Sequence, residues 1–278
     1  MQSHLPGLES RLPLNDGQSI PALGLGVYQS PAGRITYESV SHALSVGYRH
    51  IDTAAIYGNE SDVGRAILDS GIARSEVFVT TKLWNQQQGY DSALKALDRS
   101  LALLKMEYVD LYLVHWPVPG KRDDSWRALE KLKADGRAKS IGVSNYTVHH
   151  LQDLLSKSKT VPAVNQVEFS PFLYQKDLLT FCKAHAIQLE AYSPLARGER
   201  FKDPTLVDIA KRHRKSPAQI MVRWALELGL VVIPKSVRSG RILENASVFD
   251  FELSPMDRER LAGLNENLRT DWDPTDTP

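Results

Sequence analysis

The chain has 278 residues, of which 42% are hydrophobic and 24% are charged, and its formal net charge is +1. This near-neutral charge argues against nucleic acid or an anionic membrane as a partner, because neither would be attracted over a long range. No apolar run approaches the roughly 20 residues of a membrane span, and residues 1–11 lack the apolar core of a signal peptide. The single cysteine, Cys182, excludes an internal disulfide and fits a reducing compartment, so we expect a cytoplasmic protein.

The predicted elements begin with a turn near the N-terminus. Asn15-Asp16-Gly17 is a tight-turn signal between apolar residues and predicts a small β-hairpin. Strand-like segments then follow near residues 21–27, 48–52, 77–82, 108–115, 138–143, 163–168, 187–192 and 230–234. Helical periodicity covers residues 38–46, 60–69, 92–104, 124–134, 148–155, 176–184, 204–213 and 217–228. Ser216 and Pro217 suit the cap and the first position of the last of these helices.

This alternation is typical of an α/β protein with a parallel sheet and helices outside it. Eight predicted strands favour a closed (β/α)8 barrel, the TIM barrel, whose usual size is about 250 residues. The barrel would follow the hairpin, and a short helix at residues 242–246 would follow its last strand. A doubly wound nucleotide-binding sheet is the alternative, but Gly24-Leu25-Gly26 is followed by no third glycine of its fingerprint. No Pro/Gly-rich linker divides the chain, so we predict one domain, residues 1–278.

Four chemically active side chains follow the ends of predicted strands. Asp52, Lys82 and His115 each end a strand, and Tyr57 lies in the loop after Asp52. In a parallel barrel these strand ends share one rim, which is where the catalytic residues of such barrels lie. Each residue alone has an ordinary explanation as a solvated lysine, a loop cap, a loop tyrosine or a core histidine. Together they predict a proton-delivery site, in which Asp52 pairs with a buried Lys82 and Lys82 lowers the pKa of Tyr57 from about 10.

Further groups are predicted at the same rim. Tyr28, Trp84 and Trp116 follow strand ends and suit the wall of a ligand pocket, although tryptophan more often packs in a core. Polar side chains at the ends of strands five to seven could bind a flat, amide-bearing ring. The alternative interpretation is that they are ordinary turn residues. They are Ser144, Asn145, Gln166, Glu168 and Tyr192. Three cations within residues 235–241, before a short helix, predict a phosphate site rather than a solvated basic loop.

Five segments of the sequence together resemble the aldo-keto reductase superfamily. They are residues 47–60 (GYRHIDTAAIYGNE), 81–84 (TKLW), 110–117 (DLYLVHWP), 142–146 (GVSNY) and 233–236 (IPKS). They occur in the family's order, and the resemblance extends from about residue 12 to about residue 268. It is closest to bacterial and protozoal members that reduce small aldehydes, such as glyoxal or methylglyoxal reductases and 2,5-diketo-D-gluconate reductases.

The resemblance implies a (β/α)8 barrel, with extra helices after strand 8 and at the C-terminus, that uses NADPH to reduce a small carbonyl compound. It makes Tyr57 the proton donor, Lys82 and Asp52 the residues that tune it, and His115 the residue that orients the carbonyl. The implied cofactor-binding residues are Ser144, Asn145, Gln166, Tyr192, Ser193, Leu195, Lys235, Ser236, Val237, Arg241, Glu244 and Asn245. The substrate would contact Tyr28, Trp84, His115 and Trp116. We expect no metal site, and a monomer is the family default.

The short loops after His115 and Leu195, together with the short C-terminal tail, predict an open substrate pocket. Two other functions stay open at this point. One is a cofactor-binding regulatory or structural barrel without significant turnover, and the other is a metal-dependent barrel hydrolase.

Overall fold

The structure, a computed structural model, describes Leu5 and residues 7–278. It begins with the predicted antiparallel hairpin, formed by β1 (Arg11–Pro13) and β2 (Ser19–Pro21). Gly17 has φ +85° in the turn between them, a left-handed conformation that glycine adopts without steric cost. Asn15 Nδ2 donates to the carbonyl of Pro162, 2.9 Å away, just before a strand of the barrel. The hairpin therefore lies at the end of the barrel where strands begin.

Eight parallel strands form the second sheet, and each pairs with its neighbour in the chain. They are β3 (Leu25–Gly26), β4 (His50–Asp52), β5 (Phe78–Leu83), β6 (Val109–Val114), β7 (Ala138–Ser144), β8 (Val164–Glu168), β9 (Gln188–Tyr192) and β10 (Val231–Val232). Parallel bridges from Leu23 to Val232 and from Gly26 to Lys235 join the first strand to the last. The sheet is therefore closed, which confirms the predicted barrel.

Helices follow the strands in the order that the periodicity predicts. They are α1 (Arg34–Ser45), α2 (Glu60–Asp69), α3 (Tyr90–Leu104), α4 (Arg122–Ala134), α5 (Val148–Lys157), α6 (Lys176–Ala184), α7 (Pro204–His213), α8 (Pro217–Glu227), α9 (Ser239–Ala246) and α10 (Pro255–Ala262). Ser216 and Gln219 form a reciprocal capping box at the start of α8, with Pro217 at its first position. That start is confirmed, as are the extra helix after the last strand and the one near the C-terminus. Among Leu5 and residues 7–278, no helix combines the length and apolar character needed to cross a bilayer.

The first and last strands of the barrel are much shorter than the sequence predicts. β3 and β10, which meet where the barrel closes, have two residues each. Only isolated bridges join them. The seam is held by Gly24 N–H donating to Val232 O at 2.9 Å and Gly26 N–H donating to the Pro234 carbonyl at 3.3 Å. Pro234 has no N–H to return, so the regular ladder stops there.

Apolar side chains from the strands and from the inner faces of the helices form one continuous buried cluster. The interior differs at the end where the strands finish, because buried polar groups occupy it. Asp52, Lys82, Gln166 and Glu190 are each at most 2% exposed. Burying such groups is unfavourable unless they are paired, so each is expected to contact a partner of opposite charge or a hydrogen-bonding group.

Candidate active site

Lys82 is the centre of the predicted catalytic group. Its side chain is fully buried in β5, and Nζ lies 2.6 Å from Asp52 Oδ1, an ion pair across adjacent strands. Nζ also donates to the Thr53 carbonyl at 2.8 Å and lies 3.4 Å from Tyr57 Oη. These three acceptors match the three N–H donors of an ammonium group. The structure thus brings Asp52, Lys82 and Tyr57 together.

Tyr57 differs from expectation in one respect. Burial and the nearby carboxylate of Asp52 raise the pKa of its phenol well above 10, so the predicted lowering is wrong for this structure. The ammonium of Lys82 is neutralised by its closer contact with Asp52, and a buried phenolate would be poorly solvated. Tyr57 therefore keeps its proton at neutral pH. Because Oη is within reach of a donor from Lys82, its own proton is free to point into the pocket.

His115 follows β6 and faces Tyr57 edge-on, with ring centroids 5.7 Å apart. Trp84 lies on another side of the imidazole, at a centroid distance of 5.3 Å. Burial and the positive charge of Lys82 hold the pKa of His115 well below 6.5, so the ring is neutral at physiological pH. Its buried Nδ1 has no hydrogen-bond partner among the described residues. An unpaired lone pair is cheaper to bury than an unpaired N–H, which favours the proton on Nε2.

A cavity of about 830 Å³ opens at the rim where the strands end. All the predicted site residues except Lys82 and Glu168 line it, and Lys82 lies directly behind Tyr57. Tyr57, His115 and three aromatic side chains form one end, with Tyr28 at 5.0 Å from Tyr57 between ring centroids. The basic segment at residues 235–241 lies at the other end. The cavity is therefore elongated, with acid–base groups and cations in separate places.

The predicted amide-binding side chains lie between these ends and bond to one another. Tyr192 Oη donates to Asn145 Oδ1 at 2.8 Å, and Asn145 Nδ2 donates to the His115 carbonyl at 3.0 Å. Asn145 and Ser193 have positive φ values of 63° and 46°, a backbone strain common at functional sites. Gln166 Nε2 donates hydrogen bonds to two buried carboxyl groups, those of Asp52 and Glu190. Its Oε1 has no partner in the described part of the chain and is the open acceptor of this set.

The basic segment surrounds the start of α9. Lys235 Nζ donates to the Gln29 carbonyl at 3.1 Å, and Arg238 is the N-cap residue of the helix. Within Leu5 and residues 7–278, neither Arg238 nor Arg241 forms an ion pair. No side chain caps the first N–H groups of α9. Cations without acidic partners next to free helix N–H groups form an anion-binding site.

The C-terminal tail supplies two residues that sequence reasoning missed. Asp271 and Trp272 line the cavity, and Trp272 packs against Trp116 with ring centroids 5.0 Å apart. Asp271 also pairs with Arg197 across the cavity mouth at 3.1 Å. The short tail therefore turns back to the rim and forms part of the pocket wall, while Trp272 itself stays exposed. No periodicity marks residues 263–278, so nothing in the sequence indicates where this segment runs.

Glu168 at the end of β8 fixes this path. Its buried carboxylate accepts from Thr270 N at 2.8 Å and from Asp271 N at 3.3 Å, and it also contacts the Thr270 hydroxyl. We expect Glu168→Gln to speed hydrogen exchange of the Thr270 and Asp271 amides by about tenfold, because bonds to a charged acceptor are about twice as strong as neutral ones. Glu266→Gln is the matched control in the same tail, since Glu266 pairs with Arg200 at the exposed surface. Equal exchange in both variants would contradict the anchoring role.

Residues 22–266 match the aldo/keto reductase family. The chain belongs to the aldo/keto reductase family. It is 49% identical to glyoxal reductase of Bacillus subtilis over 267 residues, which cover 96% of this chain and 97% of that relative.

Solved structures of other aldo/keto reductases have the same fold. One from Brucella melitensis superposes with a TM-score of 0.89 at 50% identity, covering 92% of this chain and 99% of its own. A Bombyx mori aldo-keto reductase, solved in complex with NADP, superposes with a TM-score of 0.87 at 38% identity, covering 94% of each chain.

Proposed function

We propose that this protein is an NADPH-dependent reductase of aldehydes and ketones, with Tyr57 as the general acid. The observation that carries the proposal is the placement of the Tyr57 hydroxyl, which lies 3.4 Å from a buried ammonium and opens into a cavity with an anion site at its far end. Membership of the aldo/keto reductase family supports the same chemistry. The location in the cytoplasm and the monomeric state stay predictions.

The residues of the cavity fit a dinucleotide phosphate. The free acceptor Gln166 Oε1 suits the carboxamide N–H₂ of a nicotinamide, and the ring of Tyr192 suits its face. Ser193 and Leu195 lie on the path from there to the basic end. At that end Ser236, Val237, Glu244 and Asn245 join the cations along the same wall. The unpaired Arg241 would hold the 2′-phosphate, the group that distinguishes NADPH from NADH.

Reduction of a carbonyl compound requires a hydride, which NADPH would supply when bound, and a proton, which comes from the protein. Tyr57 transfers its phenolic proton to the carbonyl oxygen as negative charge develops there, and it later regains a proton from solvent. Lys82 would stabilise the transient phenolate, since its Nζ lies 3.4 Å from Oη and the Coulomb attraction grows as charge develops there. His115 Nε2–H donates to the same carbonyl oxygen and orients it between imidazole and phenol. These donors are fixed before the reaction, so they stabilise charge that appears only in the transition state.

Small aldehydes and dicarbonyls are the proposed substrates. Tyr28, Trp84, Trp116 and Trp272 enclose the carbonyl end with apolar surface, and the tail narrows its mouth. The relative from Bacillus subtilis is named a glyoxal reductase, which supports the same substrate class. Aromatic aldehydes and sugars extend the set to be tested.

A carbonyl screen tests the proposal. We expect NADPH absorbance to fall in the presence of the purified protein and at least one of methylglyoxal, glyoxal, benzaldehydes, aldoses or diketones. NADPH binding without oxidation across the whole panel would favour the cofactor-binding regulatory or structural barrel instead. Tightly bound zinc, found by metal analysis of the purified protein, would favour the metal-dependent hydrolase.

Cofactor preference provides a separate prediction. We expect Arg241→Ala to raise the KM for NADPH by about 10- to 100-fold, because a charge-assisted hydrogen bond to phosphate is lost. The KM for NADH should change much less, since NADH has no 2′-phosphate. Steady-state kinetics with both cofactors on the same preparation supply the internal control. Equal effects on the two cofactors would mean that the basic segment has another purpose.

A further inference from the structure

The barrel interior below Tyr57 contains a second carboxyl group, which the mechanism above does not use. Glu190 lies in β9 with its side chain fully buried. Its Oε2 accepts a hydrogen bond from Gln166 Nε2 at 3.1 Å. The same nitrogen donates to Asp52 Oδ2 at 2.8 Å. One side-chain amide therefore connects Glu190 to the carboxylate that holds Lys82.

The other oxygen of Glu190 has no strong partner. Oε1 forms no hydrogen bond among the residues that the structure describes, and His50 Nε2 is 3.7 Å from it. Nε2 contacts Thr80 Oγ1 instead, at 3.1 Å. Burial and the positive charge of Lys82 lower the pKa of His50 to about 3, so its ring is neutral. A neutral ring cannot compensate a negative charge on Glu190.

The remaining charges around Glu190 are those of Asp52 and Lys82. Lys82 Nζ forms its ion pair with Asp52 and, among the residues that the structure describes, is the one ammonium near both carboxyl groups. On the other side, β10 presents only Val231 and Val232. Burial and the negative charge of Asp52 raise the pKa of Glu190 to about 8. Asp52 has the Lys82 ammonium 2.6 Å away, whereas Glu190 Oε1 has no partner among the described residues, so Glu190 is the carboxyl group that keeps a proton at neutral pH.

We propose that Glu190 is a positioning residue of the active site, which acts on Tyr57 through Gln166, Asp52 and Lys82. This inference rests on the reductase activity proposed above. As a neutral acid, Glu190 accepts a hydrogen bond from the Gln166 amide without adding a negative charge. Gln166 then orients the Asp52 carboxylate. The positive charge of Lys82 stays available to Tyr57. An ionised Glu190 sets two negative charges against one ammonium. The added charge opposes the negative charge that grows on the phenol and carbonyl oxygens during reduction.

The pH dependence of the chemical step tests this role. We expect the single-turnover rate of NADPH oxidation by methylglyoxal to fall about tenfold as pH rises through about 8, the order expected of one added charge at about 10 Å in a protein interior. Glu190→Gln keeps the shape of the neutral acid and cannot ionise. Its rate at about pH 6.5 should lie within about threefold of wild type, and the alkaline fall should disappear. Its Kd for NADPH should be unchanged, because Glu190 does not line the cavity.

Stability provides a readout that does not depend on turnover. Since the pKa of Glu190 is higher in the folded state than its ordinary value of 4.5, the folded state binds more protons between that value and about 8. The stabilisation is complete at low pH and is lost as pH rises through this window. The Tm of wild type should therefore fall relative to that of Glu190→Gln over the same range.

Two further variants complete the experiment. Glu60→Gln is the control, because Glu60 is a buried carboxyl group that bonds to Thr81 and has no contact with Gln166; it should keep the alkaline fall. Glu190→Thr serves if the glutamine variant does not fold, and it should also lose that fall. An active Glu190 variant with the wild-type pH profile would overturn the inference. Wild-type protein that turns over no carbonyl at any pH would instead overturn the proposed function.

Discussion

Replacing Tyr57 by phenylalanine should reduce kcat for carbonyl reduction by at least about 10²–10⁴-fold, the usual contribution of a general acid. The substitution removes only the hydroxyl, which lies 3.4 Å from Lys82 Nζ. The ring keeps its contacts with Tyr28 and His115. NADPH binding should therefore be nearly unchanged, and titration of NADPH fluorescence alongside stopped-flow kinetics separates the two effects.

Tyr37→Phe is the matched control for this prediction. Tyr37 also loses one hydroxyl, which donates to Asp69 at 3.0 Å on the exposed surface, far from the cavity lining. Its kcat should equal that of wild type. A Tyr57→Phe enzyme within a few-fold of wild type would show that another group protonates the substrate.

The second large effect concerns stability. We expect Lys82→Met to lower the free energy of unfolding by about 3–5 kcal/mol at neutral pH, the usual cost of removing one partner of a buried ion pair. Asp52 is 2% exposed and would lose its cation. Burial already raises the pKa of Asp52, and Lys82 opposes that rise, so the variant should favour a protonated Asp52. Its deficit should therefore grow as pH rises, which urea unfolding at several pH values can measure.

A double variant separates the lost charge from the lost packing. Asp52→Asn combined with Lys82→Met removes both charges and should be more stable than Lys82→Met alone. Lys131→Met, which breaks an exposed pair with Asp135, should change stability by less than about 1 kcal/mol. If the double variant were as unstable as Lys82→Met, the deficit would reflect packing and not an unpaired carboxylate.

Local sequence signals predicted most of the fold. Strand and helix periods and the Ser216-Pro217 helix start were enough to predict the barrel, because each depends on residues close together in the chain. The acid–base group was also predictable, since residues that end neighbouring parallel strands must meet at one rim. Asp52 and Lys82 needed no knowledge of distant contacts to be paired.

Features that depend on distant contacts could not be predicted. The path of the tail depends on Glu168 binding Thr270 about a hundred positions later in the chain, and the sequence around Glu168 indicates a rim residue but not this partner. The pKa of Tyr57 was predicted with the wrong sign because the sequence shows that Lys82 is near but not how deeply the phenol is buried. Glu190 was missed for the same reason, since an acidic residue within a strand gives no indication that it faces another carboxyl group.

The separation between the two ends of the cavity has a consequence for engineering this enzyme. The loops after β3, β4, β5 and β6, with the C-terminal tail, build one end, and the segment after β10 builds the other. Substitutions in distant regions usually have additive free energies. Libraries that alter the choice of carbonyl compound and libraries that switch the enzyme to the cheaper unphosphorylated coenzyme could therefore be optimised in parallel and then recombined.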